Sequence, residues 1–328
     1  MTLIILAFIL ILNFFFLYYF EYYSKLINIY DSPDNVRKLH KKKVSLLGGL
    51  IFLINILILL FILILNITDI NFFIDNRFYI SFFLPILFIF FIGLYDDKFI
   101  LNPYSKFFLI SGVLFFTTFV DNDLVIKKLY FQTFNLSLSL GIFSSFFTIL
   151  CILLFVNALN MFDGLNLQVG SYLAILFLYF IINKIFLHLS IFLFLPLICF
   201  LYLNYKNKTF LGDSGTHVMA FIISYIIIKQ YNHQFLSISV EEIFILMMIP
   251  GLDMFRLFIQ RLSKFNNPFK PDRNHIHHYF LNKLEFKYSF LIVQILILIP
   301  IILIPFSQIS AVIIGIFLYI FSLVRIIK

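Results

Sequence analysis

Charged residues are scarce in this chain: they make up 12% of its 328 residues, and tryptophan is absent altogether. Soluble domains carry about a quarter of their residues as charges, so this composition excludes an ordinary soluble protein. Hydrophobic residues make up 62% of the chain, 48 residues are phenylalanine, and the mean hydropathy is +1.04. Together these values predict a protein that crosses a membrane several times.

Cysteine is nearly absent as well. Cys151 and Cys199 both lie inside apolar runs, so the sequence predicts no disulfide framework and gives no sign of an oxidising compartment. The apolar run at residues 1–20 has no basic segment before it and no small-residue cleavage site after it. We therefore expect it to be the first membrane span and not a removable signal peptide.

The apolar residues are grouped in blocks of roughly 15 to 20, which is the length of a helix that crosses a bilayer. The predicted fold class is all-α, a polytopic integral membrane helix bundle. No linker or repeat is evident, so we expect a single domain over 1–328. The eleven predicted spans lie at about 1–20, 48–65, 78–95, 106–120, 137–156, 170–184, 186–204, 216–229, 242–256, 287–305 and 309–325.

The distribution of basic residues predicts the orientation of these spans. Short loops rich in Lys and Arg stay on the cytoplasmic side. With eleven spans, 19 of the 24 basic residues fall on one side of the membrane and 5 on the other. The N-terminus is therefore predicted outside and the C-terminus in the cytoplasm, and the net charge of +8 is concentrated on the cytoplasmic face.

Acidic residues and histidines gather at the cytoplasmic ends of the predicted spans. They occur in "GLYDDK" (Asp96 and Asp97), "NALNMFDG" (Asp163), "FLGDSGT" (Asp213), "PGLDMFR" (Asp253) and "KPDRNHIHHY" (270–279). Mg²⁺ takes oxygen ligands from one or two carboxylates and shares its other positions with substrate phosphates. Arg and His neutralise further phosphate charge. The pattern therefore indicates chemistry on a phosphorylated substrate at the inner membrane surface.

Each of these residues also has a plainer explanation. Asp97 is consistent with a helix cap or a surface pair with Lys98. Asp163 and Asp213 are both followed by turn residues, so each is consistent with a turn that carries a helix N-cap. Only their joint confinement to one predicted face of the membrane favours a common site.

The histidines and the first basic run leave alternatives open too. The segment "HIHH" is consistent with a solvated loop or a zinc site. "RKLHKKK" at 37–43 is consistent with a simple orientation signal. His188 and His217 lie within or beside apolar runs and are interpreted as structural residues.

Four motifs in register resemble one family. "GLYDDK", "NALNMFDG", "GDSGT" and "PFKPDRNHIHH" resemble those of the polyprenyl-phosphate N-acetylhexosamine-1-phosphate transferases, glycosyl transferase family 4. The segment "HIHH" is similar to the branch of bacterial undecaprenyl-phosphate GlcNAc-1-phosphate transferases, whereas the phospho-MurNAc-pentapeptide branch usually carries consecutive histidines there. The first loop, "DSPDNVRKLHKKKVSLLGGL", also resembles that of the family.

The resemblance implies transfer of a sugar 1-phosphate from a UDP-sugar to polyprenyl phosphate with release of UMP. It implies Mg²⁺, or Mn²⁺ in its place, as the cofactor, and a bacterial inner membrane enzyme whose active site faces the cytoplasm. The product would begin a cell-envelope glycan such as O-antigen or teichoic acid. The resemblance predicts no nucleic-acid partner and leaves a homodimer open.

The resemblance also assigns roles to residues. Asp96 and Asp97 would be the catalytic pair, one of them deprotonating the lipid phosphate, and direct attack and a covalent aspartyl intermediate both stay open. Asp213 and Asp163 would bind the metal. The substrate-binding residues would be Arg37, Lys38, His40, Lys106, Asn157, Asn160, Asp163, Asn166, Arg273, His275, His277 and His278. The site would be built from cytoplasmic loops near 21–47, 96–106, 157–169, 205–215 and 257–286.

One departure from the family pattern concerns Asn166. The family commonly has Asp-Gly-x-Asp-Gly where this chain reads "DGLNLQ". An amide is no base and is a weaker metal ligand, so we expect Asn166 to recognise the nucleotide.

Two alternative functions follow from the sequence. The first is a catalytically altered homologue, which the substitution at Asn166 allows. The second is a membrane transporter, which would instead need ionisable residues near the bilayer midplane.

Overall fold

The structure, a computed structural model, describes residues 3–33, 42–65, 77–233, 238–265, 267 and 274–327. Within these ranges the chain forms thirteen α-helices and two small antiparallel sheets. The helices are α1 (Leu3–Tyr18), α2 (Phe20–Ile27), α3 (Gly48–Ile64), α4 (Leu84–Phe99), α5 (Pro103–Val120), α6 (Ser144–Phe162), α7 (Gln168–Ile182), α8 (Leu187–Tyr205), α9 (Gly212–His233), α10 (Val240–Ser263), α11 (Ile276–Lys283), α12 (Phe286–Leu303) and α13 (Gln308–Ile327). The strands are β1 (Tyr30–Asp31), β2 (Val44–Ser45), β3 (Lys128–Phe131) and β4 (Leu136–Ser139).

Several helices are long and apolar enough to cross a membrane. Six meet both criteria in the described ranges, and a seventh span results if α1 and α2, bent by 64° at residue 19, count as one. The six are Tyr79–Phe99, Pro103–Val120, Gly141–Phe162, Leu187–Tyr205, Phe286–Leu303 and Gln308–Ile326, and α3 and α7 are apolar but shorter. This confirms a multi-pass helical membrane protein, and every predicted span overlaps a helix.

One predicted span begins in the wrong place. The interpretation of 137–156 as continuous helix was wrong at its start, because Leu136–Ser139 is strand β4, paired with β3 so that Phe131 lies opposite Leu136. The sequence "LSLS" alternates apolar and polar residues with a period of two, which is the strand signal. Helix α6 begins only at Ser144.

The expected site loops are also shorter than predicted. Asn157 and Asn160 lie on α6 and Asp213 lies in the first turn of α9, so parts of the predicted loops 157–169 and 205–215 are helical. The predicted loop 257–286 likewise contains the end of α10 and all of α11. Helix α9 has almost every residue from 214 to 229 buried, and this tertiary packing keeps its polar first turn helical.

Glycines allow two helices to approach the first turn of α9 closely. A Cβ atom at Gly49 of α3 would lie 2.6 Å from the backbone nitrogen of Gly215. A Cβ atom at Gly93 of α4 would lie 2.5 Å from the backbone nitrogen and Cα of Ser214. Small residues let membrane helices pack backbone to backbone. The crossings of α3 and α4 with α9 therefore depend on the missing side chains.

A reciprocal pair of amides joins α1 to α3. Asn13 Nδ2 donates to Asn55 Oδ1 at 2.8 Å, and Asn55 Nδ2 donates to Asn13 Oδ1 at 3.0 Å. Both side chains are buried, and each also donates to the carbonyl four residues earlier in its own helix. All four amide hydrogens are thus satisfied between two apolar helices.

We expect Asn55→Leu to lower the thermal stability, because it leaves one amide unpaired in an apolar environment. Such polar contacts between membrane helices contribute about 1–2 kcal/mol at most. The double variant Asn13→Leu/Asn55→Leu should recover part of the lost stability, since neither amide then remains. Thermal unfolding of the wild type, Asn13→Leu, Asn55→Leu and the double variant in detergent measures this coupling. Strictly additive losses in the double variant would contradict it.

A separate buried ion pair lies at the other end of α9. Lys229 Nζ contacts Asp121 Oδ1 at 2.8 Å, and Ser81 Oγ donates to Asp121 Oδ2 at 2.7 Å. A helix rises about 1.5 Å per residue, so Lys229 lies roughly 24 Å along α9 from Asp213. This ion pair joins α9 to the end of α5 on the side of the bundle remote from the predicted site residues.

Candidate active site

A tight turn between α4 and α5 brings Lys106 back to Asp96. The turn begins at Ile100, which has a positive φ of 53°, and α5 starts with Asn102 as its N-cap and Pro103 in its first turn. Asp96 Oδ1 accepts a hydrogen bond from the backbone N–H of Leu101. Its other oxygen accepts from Lys106 Nζ at 2.6 Å. The turn thus fixes the Asp96 carboxylate and its counter-charge together.

Asp97 caps a different helix. Its Oδ1 accepts from the backbone N–H of Asp213 at 2.8 Å, and its Oδ2 accepts from the N–H and the hydroxyl of Ser214 at 3.1 and 2.9 Å. These N–H groups belong to the first turn of α9, where the helix dipole favours a negative charge. Both oxygens of Asp97 are therefore used to hold the N-terminus of α9 against α4.

Lys106 links the two carboxylates that remain. Its Nζ lies 2.6 Å from Asp96 Oδ2 and 2.6 Å from Asp213 Oδ2. The three side chains come from α4, α5 and α9, and each is partly exposed, by 9% to 28%. One ammonium thus holds together two carboxylates that would repel each other without it.

Helix α6 contributes an amide and a carboxyl to the same region. Asn160 Nδ2 lies 2.9 Å from His217 Nε2, and His217 Nε2 lies 4.0 Å from Asp213 Oδ2. Asp163 follows as the C-cap of α6. Burial, together with the negative charges of Asp213 and Asp97, raises the pKa of Asp163 to about 7. Burial is the main cause of this raised pKa, and the two neighbouring carboxylates add to it, so a nearby cation would favour the charged form of Asp163.

We call Asp96, Asp97, Asp163, Asp213 and Lys106 the carboxylate site. It contains four carboxyl groups and one basic side chain, so negative charge is in excess. In the described ranges no group of three or more His, Cys, Asp or Glu side chains is arranged as a metal-binding set. Mg²⁺ needs only one or two carboxylates when substrate phosphates and water complete its shell, and the oxygen donors present suit that use.

The histidine segment, which we define as residues 274–278, packs beside the carboxylate site. His277 is fully buried, and its Nδ1 lies 3.2 Å from Gln168 Nε2. A Cβ atom at Gly164 would lie only 2.0 Å from His277 Nε2. Burial, followed by the charges of His278 and His275, lowers the pKa of His277 well below its usual value. His277 is therefore neutral and fits under the backbone that follows Asp163.

His275 is held by an acid on another helix. Its Nδ1 lies 2.9 Å from Asp253 Oδ2, and Asp253 Oδ1 accepts from the backbone N–H of Ile276 at 3.2 Å. The rings of His275 and His277 are stacked with centroids 5.4 Å apart, and those of His277 and His278 lie 4.3 Å apart. The three histidines thus form one cluster whose position depends on α10.

Two predicted substrate-binding amides make their contacts away from the carboxylate site. Asn157 Nδ2 donates to the carbonyl of Leu153 in its own helix at 2.8 Å. Asn166 Nδ2 donates to Asn207 Oδ1, and the adjacent N–H of Leu167 donates to Asn204 Oδ1 at 2.6 Å. Position 166, where the family commonly has an acid, therefore joins the loop after α6 to the loop after α8.

The remaining predicted residues are placed as follows. Arg37, Lys38, His40 and Arg273 lie outside the described residues. The structure joins Asp96, Lys106 and Asp213 by direct contacts, and it brings Asn160 and Asp163 to the same end of the bundle.

Three residues with contacts at or beside the site were not among the predicted site residues: Asp253, Ser214 and His217. His217 could have been found from its spacing, because it lies four residues after Asp213 and residues four apart share one face of a helix.

The fold and the site define a multi-pass membrane protein with a carboxylate-rich site at one end of its helix bundle. Residues 79–231 match the model of glycosyl transferase family 4. That region carries all the residues of the carboxylate site. The family resemblance and the prediction of an enzyme of the transferase class are thereby confirmed.

Curated proteins of one name are similar to much of the chain. The undecaprenyl-phosphate alpha-N-acetylglucosaminyl 1-phosphate transferase of Escherichia coli O157:H7 is 26% identical over 275 residues, covering 80% of this chain and 72% of the relative. The protein of the same name from Salmonella typhi is 27% identical over 210 residues, covering 57% of this chain and 54% of the relative. The Yersinia pestis protein is 26% identical over 199 residues, with the same coverage.

Proposed function

We propose that this protein transfers N-acetylhexosamine 1-phosphate from a UDP-sugar to undecaprenyl phosphate, giving undecaprenyl diphosphate sugar and UMP. UDP-GlcNAc is the first donor to test, because the relatives are named for N-acetylglucosamine and undecaprenyl phosphate. The observation that carries the proposal is the contact of Lys106 with both Asp96 and Asp213 inside the matched region. Such a set of charges suits the reaction of two phosphate-bearing substrates.

In the proposed reaction an oxygen of the lipid phosphate attacks the phosphorus that bears the sugar. The bond from that phosphorus to the oxygen bridging the two phosphates breaks, and UMP departs with that oxygen. We assign the base to Asp96, because its Oδ2 accepts from the side-chain ammonium of Lys106, a group that can also bind a substrate phosphate. Asp97 is a positioning residue, since its oxygens accept three hydrogen bonds from α9. Lys106 is placed to neutralise phosphate charge once a substrate enters.

Asp213 and Asp163 are the residues that would hold Mg²⁺. Their support is the excess of carboxyl groups at the site and the raised pKa of Asp163. When bound, the ion would neutralise the donor diphosphate and favour departure of UMP. Asn160 and His217 lie next to Asp213 and would orient its carboxylate.

We propose eleven spans, with the N-terminus outside and the C-terminus and carboxylate site facing the cytoplasm of a bacterial inner membrane. The asymmetry of 19 basic residues against 5 supports this orientation. The chain would form one domain over 1–328. The proposed product would begin synthesis of a cell-envelope glycan. Arg37, Lys38, His40 and Arg273 remain proposed contacts for substrate phosphates.

The test is UMP release by detergent-purified protein given undecaprenyl phosphate, Mg²⁺ and a panel of UDP-N-acetylhexosamines. We expect release that requires both the lipid and a donor. Chelation with EDTA should abolish it, and addition of Mg²⁺ or Mn²⁺ should restore it, because the carboxylates alone cannot neutralise a diphosphate. The donor that gives the highest kcat/KM identifies the sugar.

Three outcomes would contradict the proposal. UMP release that persists in EDTA would remove the metal from the reaction. If no donor in the panel gives UMP while the folded protein still binds UDP, the chain would be an altered homologue or would use another donor. Transport of a solute across vesicles without UMP release would favour the transporter alternative.

A further inference from the structure

Asp253 is a buried carboxylate that the proposed reaction does not use. It lies on α10, is 1% exposed and contacts groups on α10 itself, on α13 and in the histidine segment. Arg256 Nη2 lies 2.7 Å from its Oδ1, and the hydroxyl of Tyr319 on α13 donates to the same oxygen at 3.0 Å. Its Oδ2 lies 2.9 Å from His275 Nδ1. Such a centre ties α10 and α13 to the histidine segment.

The backbone of the histidine segment is held by the same centre. The N–H of Ile276, the first residue of α11, donates to Asp253 Oδ1 at 3.2 Å. Arg256 Nη2 also donates to the carbonyl of Asn274 at 2.6 Å, and its Nε donates to Tyr319 at 3.0 Å. Residues on both sides of His275 are therefore fixed by the Asp253 and Arg256 pair.

The contact also fixes the His275 ring. A carboxylate only accepts hydrogen bonds, so Nδ1 of His275 donates to Asp253 and this contact fixes the orientation of the ring. The ring stacks on His277, which packs under Gly164 next to Asp163. A displacement of His275 would thus be passed to the backbone beside the carboxylate site.

We propose that Asp253 is a positioning residue: through His275 and the first turn of α11 it holds the histidine segment in the arrangement that binds the anionic UDP-sugar. This inference rests on the proposed function. Asp253 itself is buried and contacts the histidine segment through His275 and the backbone of Ile276. Its effect is on the placement of the groups proposed to bind the UDP-sugar, so its loss should act on KM more than on kcat.

The test compares Asp253→Asn with the wild type by two measurements. First, hydrogen–deuterium exchange of the peptide covering 274–283 without substrate should be at least about tenfold faster in the variant, because local opening controls exchange. Second, KM for the UDP-sugar should rise about tenfold or more while kcat stays within about threefold, since binding groups are displaced and the carboxylate site is intact. Tyr319→Phe removes one of the contacts to Asp253 and should give smaller changes of the same kind.

Asp121→Asn is the matched control, because Asp121 is equally buried and ion-paired but lies at the remote end of α9. It should leave KM and the exchange of 274–283 unchanged. Unchanged exchange and KM in Asp253→Asn, or a fall in kcat alone as expected from loss of folded enzyme, would overturn the proposal. If Asp253→Asn does not fold, Tyr319→Phe decides: faster exchange of 274–283 with a higher KM at unchanged kcat supports the proposal, and unchanged exchange and KM overturn it. Absence of UMP release by the wild type would contradict the proposed function only, since the exchange measurement does not depend on it.

Discussion

Replacing Asp96 with asparagine is expected to lower kcat by about 10³-fold while the protein still folds. An amide has nearly the same shape but cannot accept the proton of the lipid phosphate, and a general base contributes about 10²–10⁴-fold. The Lys106 ammonium would also lose one of its two carboxylate partners. UMP release at saturating donor and lipid, together with the melting temperature, measures both effects.

Asp97→Asn is the informative comparison, because the two acids are adjacent in sequence but have different contacts. We expect it to lower the melting temperature more than Asp96→Asn does, since the charge at the start of α9 is lost. A charge at a helix terminus contributes up to about 2 kcal/mol in partly buried geometry. If Asp96→Asn retained most of its activity while Asp97→Asn lost it at unchanged stability, the assignment of base and positioning residue would be reversed.

Gly93→Ala is expected to inactivate the protein and to destabilise it. The new Cβ would lie 2.5 Å from the backbone of Ser214, so α4 and α9 must move apart. Overpacking of this kind costs about 1–3 kcal/mol. Separation of the helices would also lengthen the hydrogen bonds from α9 to Asp97 and move Asp96 away from Asp213. Melting temperature and UMP release of the purified variant measure the two consequences.

Gly112→Ala provides the control for this substitution. Gly112 lies on α5, also a predicted span, but a Cβ atom there meets nothing within 4 Å. The same change of residue type should therefore leave activity unchanged, and the better helix propensity of alanine should keep or raise stability. Equal behaviour of the two variants would show that the close crossing of α4 and α9 is unimportant.

The motifs of the candidate site could be identified in the sequence, since each is a short run of neighbouring residues. "GLYDDK" and "GDSGT" were identified together, and the structure brings Asp96 and Asp213 to the same ammonium. The helix locations followed from apolar length, although the "LSLS" strand was missed because a long apolar block outweighed a short alternating pattern. The roles assigned to the site residues remain predictions that the variants above would test.

Other features required distances that no sequence pattern contains. Asp96 and Asp97 are the same residue type at adjacent positions, so the sequence alone does not distinguish their roles. Successive residues on a helix point about 100° apart, and α4 therefore directs Asp96 toward Lys106 and Asp97 toward α9. Asp253 was identified as an acid at a span end, but its contact with His275 joins residues 22 positions apart. Asn166 was interpreted as a nucleotide contact, whereas its described contact is Asn207.

By itself the sequence determined that this is a helical membrane protein and which short motifs carry charge, because hydrophobic length and residue chemistry are local properties. The tertiary structure alone decided how the charges are paired. Close packing at Gly93 places α4 against the start of α9, and the turn at Ile100 returns Lys106 to the carboxylates. Those contacts depend on helix crossings, and the free energy of a crossing is shared among residues far apart in the chain.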